Sequence, residues 1–273
     1  MALFTVFGAT GFIGTHVARR LRRDGHDVRA PARDEPIGPR PLGHALYCIG
    51  LTADYARRPY DTADAHVGVL NRILREGQFE SLVYLSSTRL YDSAGGAGRE
   101  DADLALNPNN PRHLYDLSKA LGESLCIANG RARIARLACV YSDAMETGDF
   151  LPQLVRRALR ERHIALDAPA NGERDYIHVD DVCAIVIDIA LRGRRPIYNV
   201  ASGVNVANAA LCTLVGALTG AQITPAATKP GLAFARIDIS AIAADFAAAP
   251  APLDANLRRI VPALRLARQA AVA

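Results

Sequence analysis

A tyrosine and a lysine four positions apart are the residues of this sequence best suited to proton transfer. They are Tyr115 and Lys119, in the segment Tyr-Asp-Leu-Ser-Lys. On a helix such a pair shares one face. A free tyrosine has a pKa of roughly 10, and a nearby ammonium group favours its phenolate form. The spacing therefore predicts that Tyr115 is a general acid or base, with Lys119 lowering its pKa. The alternative is a solvated helix face, the default for an isolated YxxxK pattern.

Three hydroxyl side chains follow an apolar run upstream of this pair. The run Leu82–Leu85 is predicted to be a buried strand, and Ser86, Ser87 and Thr88 follow it directly. Open α/β sheets bind their ligands at the carboxyl ends of such strands. We therefore expect these hydroxyls to line the same active site as Tyr115 and Lys119. Ser87 is also a candidate for substrate binding, and Ser86 for cofactor binding.

Glycines near the amino terminus predict a dinucleotide site. The apolar run Phe4–Phe7 leads into Gly-Ala-Thr-Gly-Phe-Ile-Gly, a GxxGxxG spacing. Such glycines turn the chain, let its backbone approach a pyrophosphate, and let helix and strand pack closely. The following helix, about Phe12 to Arg23, would point its positive end at the anion. A Gly-rich packing turn is the alternative. The cofactor-binding candidates are Gly8, Thr10, Gly11, Phe12, Ile13, Gly14, Arg33, Leu51, Ser86, Tyr115 and Lys119.

Taken together, these motifs resemble the extended, nucleotide-sugar epimerase/dehydratase branch of the short-chain dehydrogenase/reductase superfamily. The likeness covers most of the chain. It includes the segments 8–14, 84–88 with Tyr91, 115–119, 136–141, 174–182 and 198–203. The resemblance implies an NAD(P) cofactor and a sugar-nucleotide substrate. It further implies that Tyr115 removes a hydroxyl proton during hydride transfer, that Lys119 holds the nicotinamide ribose, and that Arg174 contacts the substrate phosphate. Thr88 is the residue implied to hold the reacting oxygen, with Ser86 and Ser87 as second choices.

Departures from the family pattern narrow the reaction. The family's 4,6-dehydratases carry an Asp-Glu pair after the catalytic threonine, where this chain has Arg89-Leu90. The Asn that usually precedes Val-Tyr is replaced by Cys139, which leaves the sugar donor open. Dehydration is therefore disfavoured. We expect an epimerase that acts through a keto intermediate. An NADPH-dependent keto-sugar reductase and a non-catalytic nucleotide-binding or sensor protein remain as alternatives.

The end of the second predicted strand, Asp27 to Ala32, bears on the choice of cofactor. The acidic residue that would hold the adenosine 2′-hydroxyl falls at Ala32, and Arg33 follows. An arginine suits a 2′-phosphate through charge-assisted hydrogen bonds. NADP is therefore the expected cofactor. NAD stays possible because Asp34 or Glu35 could reach the ribose.

Alternating strand and helix patterns predict an α/β fold: a Rossmann-like, doubly wound parallel sheet with a small C-terminal substrate lobe. Only a Pro/Gly-rich loop, Glu35 to Gly43, fills the gap before the third strand, so the sheet should be one strand short. We expect a dinucleotide-binding domain over residues 1–141 and a mainly substrate-binding lobe over 142–273, part of which returns to the first domain. The predicted elements are the strands Leu3–Phe7, Ala45–Leu51, Leu82–Ser86, Ala132–Leu137 and Ile197–Val200, the helices Thr62–Glu76 and Leu114–Ala128, and a helical tail Ile242–Ala273.

Composition predicts an ordinary soluble enzyme. The 273 residues are 50% hydrophobic, with a formal net charge of +4 and dispersed basic residues, so nucleic acid is not an expected partner. Met1 leads directly into the first strand, and no apolar stretch is long enough for a membrane. The five cysteines are scattered, which favours a reducing cytoplasm. No His, Cys or carboxylate cluster has metal-ligand spacing, so no metal is expected. A homodimer is considered a possible assembly.

Overall fold

The computed structural model describes residues 1–33, 35–38, 40–92, 98–226 and 234–272; of residues 271 and 272 only the backbone is described. The strands are β1 (Leu3–Phe7), β2 (Asp27–Arg29), β3 (Pro41–Tyr47), β4 (Gln78–Ser87), β5 (Ala132–Leu137), β6 (Cys139–Tyr141), β7 (His163–Pro169), β8 (Glu173–His178), β9 (Ile197–Val200), β10 (Asn205–Ala207) and β11 (Gln222–Ala226). The helices are α1 (Phe12–Arg23), α2 (Pro59–Ala63), α3 (Val69–Glu76), α4 (His113–Asn129), α5 (Phe150–Ala158), α6 (Val179–Arg192), α7 (Asn208–Thr219), α8 (Ser240–Phe246) and α9 (Leu253–Val272).

A six-stranded parallel sheet forms the centre of the molecule, in the order β2-β1-β3-β4-β5-β9. Its inner strands are covered on both faces, so apolar residues follow one another along them without alternation. Phe4, Val6 and Leu46 face one buried layer, while Phe7 and Tyr47 face the other. The predicted doubly wound α/β fold is confirmed. Among the described residues 30–40 there is no strand between β2 and β3, as the Pro/Gly loop predicts.

Three strands differ in their bounds from the sequence prediction. Strand β4 begins at Gln78, four residues before the predicted Leu82, and ends at Ser87. The second strand ends at Arg29 instead of Ala32, because its pairing with β1 ends where Thr5 is opposite Arg29. The third strand begins at Pro41 and ends at Tyr47, four residues earlier than predicted. After Tyr47, Cys48 donates a last hydrogen bond to Phe7 O and the chain leaves the sheet. Leu51 therefore lies in the loop above the sheet edge, where ligands of such folds bind.

The predicted helix Thr62–Glu76 is part of a longer helical stretch from α2 to α3. Its middle turn, Asp64–Gly68, is π-helical. Such turns are rare and occur often at functional sites, because they re-aim the side chains they carry. The buried side chain in this turn is His66.

The later part of the chain adds a second core beside the sheet. The strands β6, β8 and β10 form a three-stranded sheet, and β7 pairs with β11. Strand β9 and helix α6 return to the large sheet, as predicted. Asp175 fixes the loop after β9 by accepting hydrogen bonds from the backbone N–H groups of residues 202–204, at 2.7–3.1 Å. The division into residues 1–141 and 142–273 stays a prediction.

The predicted helical tail consists of α8 and α9, separated at Ala247, whose φ of 55° ends the first helix. None of the helices within the described ranges is long and apolar enough to cross a membrane.

Candidate active site

The glycine loop between β1 and α1 has the geometry of an anion cradle. Gly8 has a φ of 79°, and a Cβ there would lie 3.0 Å from the backbone of Cys48 and Ile49. A Cβ on Gly14 would overlap the Gly8 carbonyl oxygen. Helix α1 begins after Gly11 with no acidic residue in its first turn and no side-chain cap. Its first N–H groups are therefore open to a phosphate.

Ser86 supports the same interpretation from the neighbouring strand end. It is 4% exposed, and its Oγ has no hydrogen-bond partner among the described residues. Buried hydroxyl groups are nearly always bonded, so an unpartnered one calls for an explanation. The residues around this edge fit a dinucleotide: a glycine cradle for the pyrophosphate, and Ser86 and Lys119 for the groups beyond it.

Lys119 is anchored beneath the predicted site. Its Nζ donates to the Leu85 carbonyl oxygen at 2.8 Å and lies 4.7 Å from the centroid of the Tyr84 ring. The residue is 3% exposed. Burial lowers the pKa of Lys119 to about 7, against the opposing effect of the Glu123 carboxylate.

Tyr115 lies next to this lysine on α4 and is 5% exposed. Burial raises the pKa of its phenol, whereas hydrogen bonding by Ser87, the charge of Arg89 and the Thr52 hydroxyl act in the opposite direction. Of the three predicted hydroxyls, Ser87 is thus the one that acts on the phenol. Thr88, the first choice from sequence, instead begins a 3-10 turn, Thr88–Tyr91, which Ser87 Oγ caps by accepting from Arg89 N at 3.2 Å.

The guanidinium group of Arg89 contacts the phenol ring of Tyr115. Its Cζ lies 4.9 Å from the ring centroids of both Tyr115 and Tyr55. Its Nη2 donates to Tyr55 Oη at 3.0 Å and to Arg112 O at 2.9 Å. From sequence, Arg89 marks only the loss of a dehydratase acid. Its position directly after the hydroxyl run was the available signal.

His66 joins the loop after β3 to the catalytic helix. It is fully buried, and its ring meets the Tyr115 ring edge-on at 5.1 Å. Leu51 N donates to His66 Nε2 at 3.2 Å, so the ring proton must be on Nδ1, which lies 2.8 Å from Ser118 Oγ. Ser118 in turn donates to Tyr115 O. Burial, together with the charge of Lys119, lowers the pKa of His66 to about 3, which keeps the ring neutral.

His66 is not among the site residues predicted from the sequence. Only the π-helical turn brings it under Tyr115, and nothing in a single sequence marks that turn.

Arg174, the candidate for phosphate binding, lies on β8, in the three-stranded sheet that β8 forms with β6 and β10. Its Cζ lies 3.2 Å above the Phe234 ring centroid, and its Nη1 donates to Glu173 O at 2.9 Å. Asp92 connects it to the catalytic side. Although Asp92 is exposed as a residue, desolvation of its carboxyl raises the pKa to about 6, while Arg174 and Arg89 both oppose this. Both guanidinium groups thus lie close enough to act on the Asp92 carboxyl.

The loop after β2 carries the side chains expected to select the cofactor. Arg33 is exposed there. Glu35 folds back so that its carboxylate accepts from Ala32 N at 3.2 Å and pairs with Arg29. Arg40 contributes a further positive charge near Glu35. Asp34 lies outside the described residues.

Within the described ranges there is no group of three or more His, Cys, Asp or Glu residues that could hold a metal ion.

Comparison with protein families gives a direct match. The model of the NAD dependent epimerase/dehydratase family matches residues 4–52 and 43–201, which include the glycine loop, the hydroxyl run, Tyr115 and Lys119. The chain belongs to this family. It is accordingly an extended short-chain dehydrogenase/reductase with a Rossmann-like sheet.

Two curated relatives are similar over part of their length. A dTDP-glucose 4,6-dehydratase from Streptomyces griseus is 27% identical over 148 residues, which are 52% of this chain and 44% of the dehydratase. The chain thus aligns with less than half of that protein. YtcB of Bacillus subtilis (strain 168), described as an uncharacterized UDP-glucose epimerase, is 24% identical over 225 residues, 64% of this chain and 68% of YtcB.

Solved structures share the fold over nearly the whole chain. MoeE5 in complex with UDP-glucose and NAD has a TM-score of 0.81 and 19% identity, with 97% of this chain and 99% of MoeE5 covered. RMD from Pseudomonas aeruginosa, complexed with NADPH, has a TM-score of 0.78 and 18% identity, with the same coverage of 97% and 99%. At this identity the likeness establishes the fold alone.

Proposed function

We propose that this protein is an NAD(P)-dependent epimerase that inverts one carbinol centre of a sugar nucleotide through a keto intermediate. The observation that carries the proposal is the buried phenol of Tyr115, which lies at the carboxyl edge of the sheet with Ser87 acting on it and Lys119 beside it. The glycine cradle and the unpartnered Ser86 hydroxyl stand at the same edge.

The proposed role of Tyr115 is to accept the proton of the sugar hydroxyl. As the O–H proton moves to Tyr115 Oη, the C–H bond electrons leave as hydride and the carbinol becomes a ketone. Bound NAD(P) supplies the hydride acceptor, and in its reduced form the donor. Ser87, in place of Thr88, positions the reacting oxygen, with Thr88 left as a lining residue of the substrate site. The intermediate then turns over, and Tyr115 returns its proton as hydride is added to the opposite face.

Lys119 and Arg174 hold the two ends of the reacting pair in this scheme. Lys119 has further N–H donors beyond the one bonded to Leu85, and we assign these to the nicotinamide ribose. Arg174 is assigned to the substrate diphosphate, because a guanidinium can grip phosphate through two donors. The stacking of Arg174 on Phe234 holds the planar group in place.

Dehydration fits the site less well. Arg89, which follows the hydroxyl run, is held between two tyrosine rings, and Leu90 is 1% exposed. Neither side chain can deliver the acid and base needed to expel water from the sugar.

An NADPH-dependent keto-sugar reductase is the second candidate. It is favoured by the cations Arg29, Arg33 and Arg40 near the end of β2, which suit a 2′-phosphate, and by the likeness to RMD, whose structure holds NADPH. A reductase would use the same phenol as a proton donor and would release its product after one hydride transfer.

The decisive experiment incubates the purified protein with a panel of UDP- and dTDP-sugars, with and without added cofactor, and follows products by NMR and mass. An epimer of unchanged mass, formed without net cofactor consumption, supports the proposal. A product two mass units heavier than an added keto sugar, with stoichiometric NADPH oxidation, supports the reductase. Cofactor binding with no turnover on either class would indicate the non-catalytic alternative. In the active case, Tyr115→Phe must abolish turnover.

A further inference from the structure

A permanently charged side chain lies over the ring of the proposed acid/base. The Arg89 guanidinium carbon is 4.9 Å from the Tyr115 centroid and 4.9 Å from that of Tyr55. The two rings meet at 5.6 Å with an interplanar angle of 61°, so the guanidinium contacts both. A cation within about 6 Å of an aromatic centroid is attracted by the ring, and more strongly by a ring that carries negative charge.

Three neighbours fix the guanidinium in this position. Nη2 is used fully, by Tyr55 Oη and by Arg112 O. Nε lies 3.1 Å from Asp116 Oδ1, and that oxygen has no aligned hydrogen-bond donor among the described residues. The contact with Asp116 is therefore an electrostatic pairing and not a directed hydrogen bond. Asp116 is 5% exposed, so solvent screens the pair weakly.

Lys119, the cation expected to act on the phenol, is directed elsewhere in the free protein. Its Nζ donates to Leu85 O and lies over the Tyr84 ring. Its burial also leaves the amine only partly protonated at neutral pH, because its pKa is lowered to about 7. An arginine, by contrast, keeps its charge at every pH at which the protein is folded.

We propose that Arg89 is a positioning residue that stabilises the phenolate form of Tyr115, and that the nearby Asp116 carboxylate opposes it. The role of that phenolate in turnover rests on the proposed function. Its ionisation can nevertheless be measured without any substrate.

The surroundings of Tyr115 make the two charges separable. On α4 the charged neighbours are Asp116 and Lys119. The loop after β3 contributes Thr52 and Tyr55, and the π-helical turn contributes the neutral His66. Strand β4 contributes the Ser87 hydroxyl and the buried Tyr84 phenol. Removing Arg89 should therefore disfavour the phenolate, while removing the Asp116 charge should favour it. A purely structural role for the pair would not produce opposite signs.

The test is the ultraviolet phenolate absorbance of Tyr115, obtained as the difference between each protein and its Tyr115→Phe counterpart from pH 7 to pH 10.5. Because burial raises the pKa of Tyr115 above its ordinary value of 10, the readout is the phenolate fraction at pH 10, which an upward shift of about one unit in Arg89→Gln should lower by up to tenfold. Asp116→Asn should raise this fraction, and Arg89→Lys should remain near the wild type. Arg131→Gln is the matched control, because Arg131 lies 4.8 Å from the Phe79 ring, remote from Tyr115 in the fold.

Circular dichroism at each pH restricts the comparison to folded protein. An unchanged phenolate fraction in folded Arg89→Gln, or shifts of the same sign in Arg89→Gln and Asp116→Asn, would overturn the proposal. If Arg89→Gln does not fold, Asp116→Asn is compared with the wild type and with Arg89→Lys. Absence of a downward shift of the Tyr115 pKa in Asp116→Asn would then overturn the proposal. Absence of turnover on every sugar nucleotide would count against the proposed function and would leave this titration interpretable.

Discussion

Lys119 Nζ and the Leu85 carbonyl oxygen are joined by a hydrogen bond of 2.8 Å across the carboxyl end of the sheet. The bond holds the lysine in a buried position, where a charged amine is poorly solvated. Burial is unfavourable for the charged form of Lys119, but it places a hydrogen-bond donor next to the predicted cofactor site. Such a trade-off is typical of active sites, and it makes the stability of the protein depend on pH.

Lys119→Met should reveal this dependence. Because the folded-state pKa of Lys119 is lowered to about 7 from 10.5, the unfolded chain binds a proton between these values that the folded chain releases. Wild-type stability should therefore rise with pH through this window, by on the order of 2–4 kcal/mol, and Lys119→Met should lack this rise. Urea unfolding of both proteins from pH 7 to pH 10 measures it. Parallel curves would show that the lysine is not desolvated as the structure indicates.

His66 should be required for both stability and cofactor binding. His66→Phe leaves Leu51 N–H and Ser118 Oγ without their partner, which should cost about 2–4 kcal/mol of unfolding free energy. His66→Gln can bond to both groups and is the matched variant. We expect cofactor affinity to fall in His66→Phe and to be largely retained in His66→Gln.

The same histidine gives a second, acid-side test of this prediction. Its folded-state pKa of about 3 lies below the ordinary 6.5, so the unfolded chain takes up a proton first as the pH falls. The contribution of His66 to stability is complete above about pH 6.5 and is lost progressively down to pH 3. His66→Gln should lose less stability over this range than the wild type. Identical acid unfolding of the two proteins would contradict the buried, neutral histidine.

Ser87→Ala and Thr88→Ala should separate the two hydroxyls. Ser87 acts on the Tyr115 phenol, whereas Thr88 begins the following turn. Ser87→Ala should lower kcat by about 10–100-fold, with less change in KM, because the lost contact positions the reacting oxygen. Thr88→Ala should cost less. A larger loss in Thr88→Ala would restore the assignment made from sequence.

The order of the elements could be predicted from the sequence because characteristic residues mark where elements begin and end. Glycines mark the turn after β1, and β1, α1, β5 and β9 have the bounds that their apolar runs predict. The ends of β2 and β3 could not be read in the same way. They depend on which group accepts the backbone N–H of Ala32 and of Leu51, and those acceptors are the Glu35 carboxylate and His66 Nε2.

The sequence predicts which residue types line the candidate site, but it does not predict the contacts that these residues make. The YxxxK spacing places Tyr115 and Lys119 on one helix face, but spacing says nothing of a carbonyl such as Leu85 O that draws the lysine away. Arg89 acts on Tyr115 from a different element, and helix periodicity does not describe such contacts between elements.

Arg174→Ala should test the assignment of the substrate diphosphate. Since Arg174 is half-buried against Phe234, a phosphate contact there is screened less than a surface ion pair. KM for a nucleotide sugar should rise about 10–100-fold, from the 1.5–3 kcal/mol typical of a charge-assisted hydrogen bond, while a sugar without the diphosphate should be affected little. Asp175→Asn, which loosens the adjacent loop, is the control. Equal effects of Arg174→Ala on both substrates would make its role structural.

Arg33→Ala should decide the choice of cofactor. Arg33 is exposed in the loop after β2, whereas the Glu35 carboxylate is already occupied by Ala32 N–H and Arg29. NADP(H) should therefore bind the wild type more tightly than NAD(H), and added salt should narrow the difference. Arg33→Ala should weaken NADP(H) several-fold and leave NAD(H) almost unchanged, as measured by calorimetric titration. Glu35→Gln is the complementary variant and should strengthen NADP(H), because it removes a negative charge beside the 2′-phosphate. Tighter binding of NAD(H) by the wild type would assign the ribose contact to Glu35 instead.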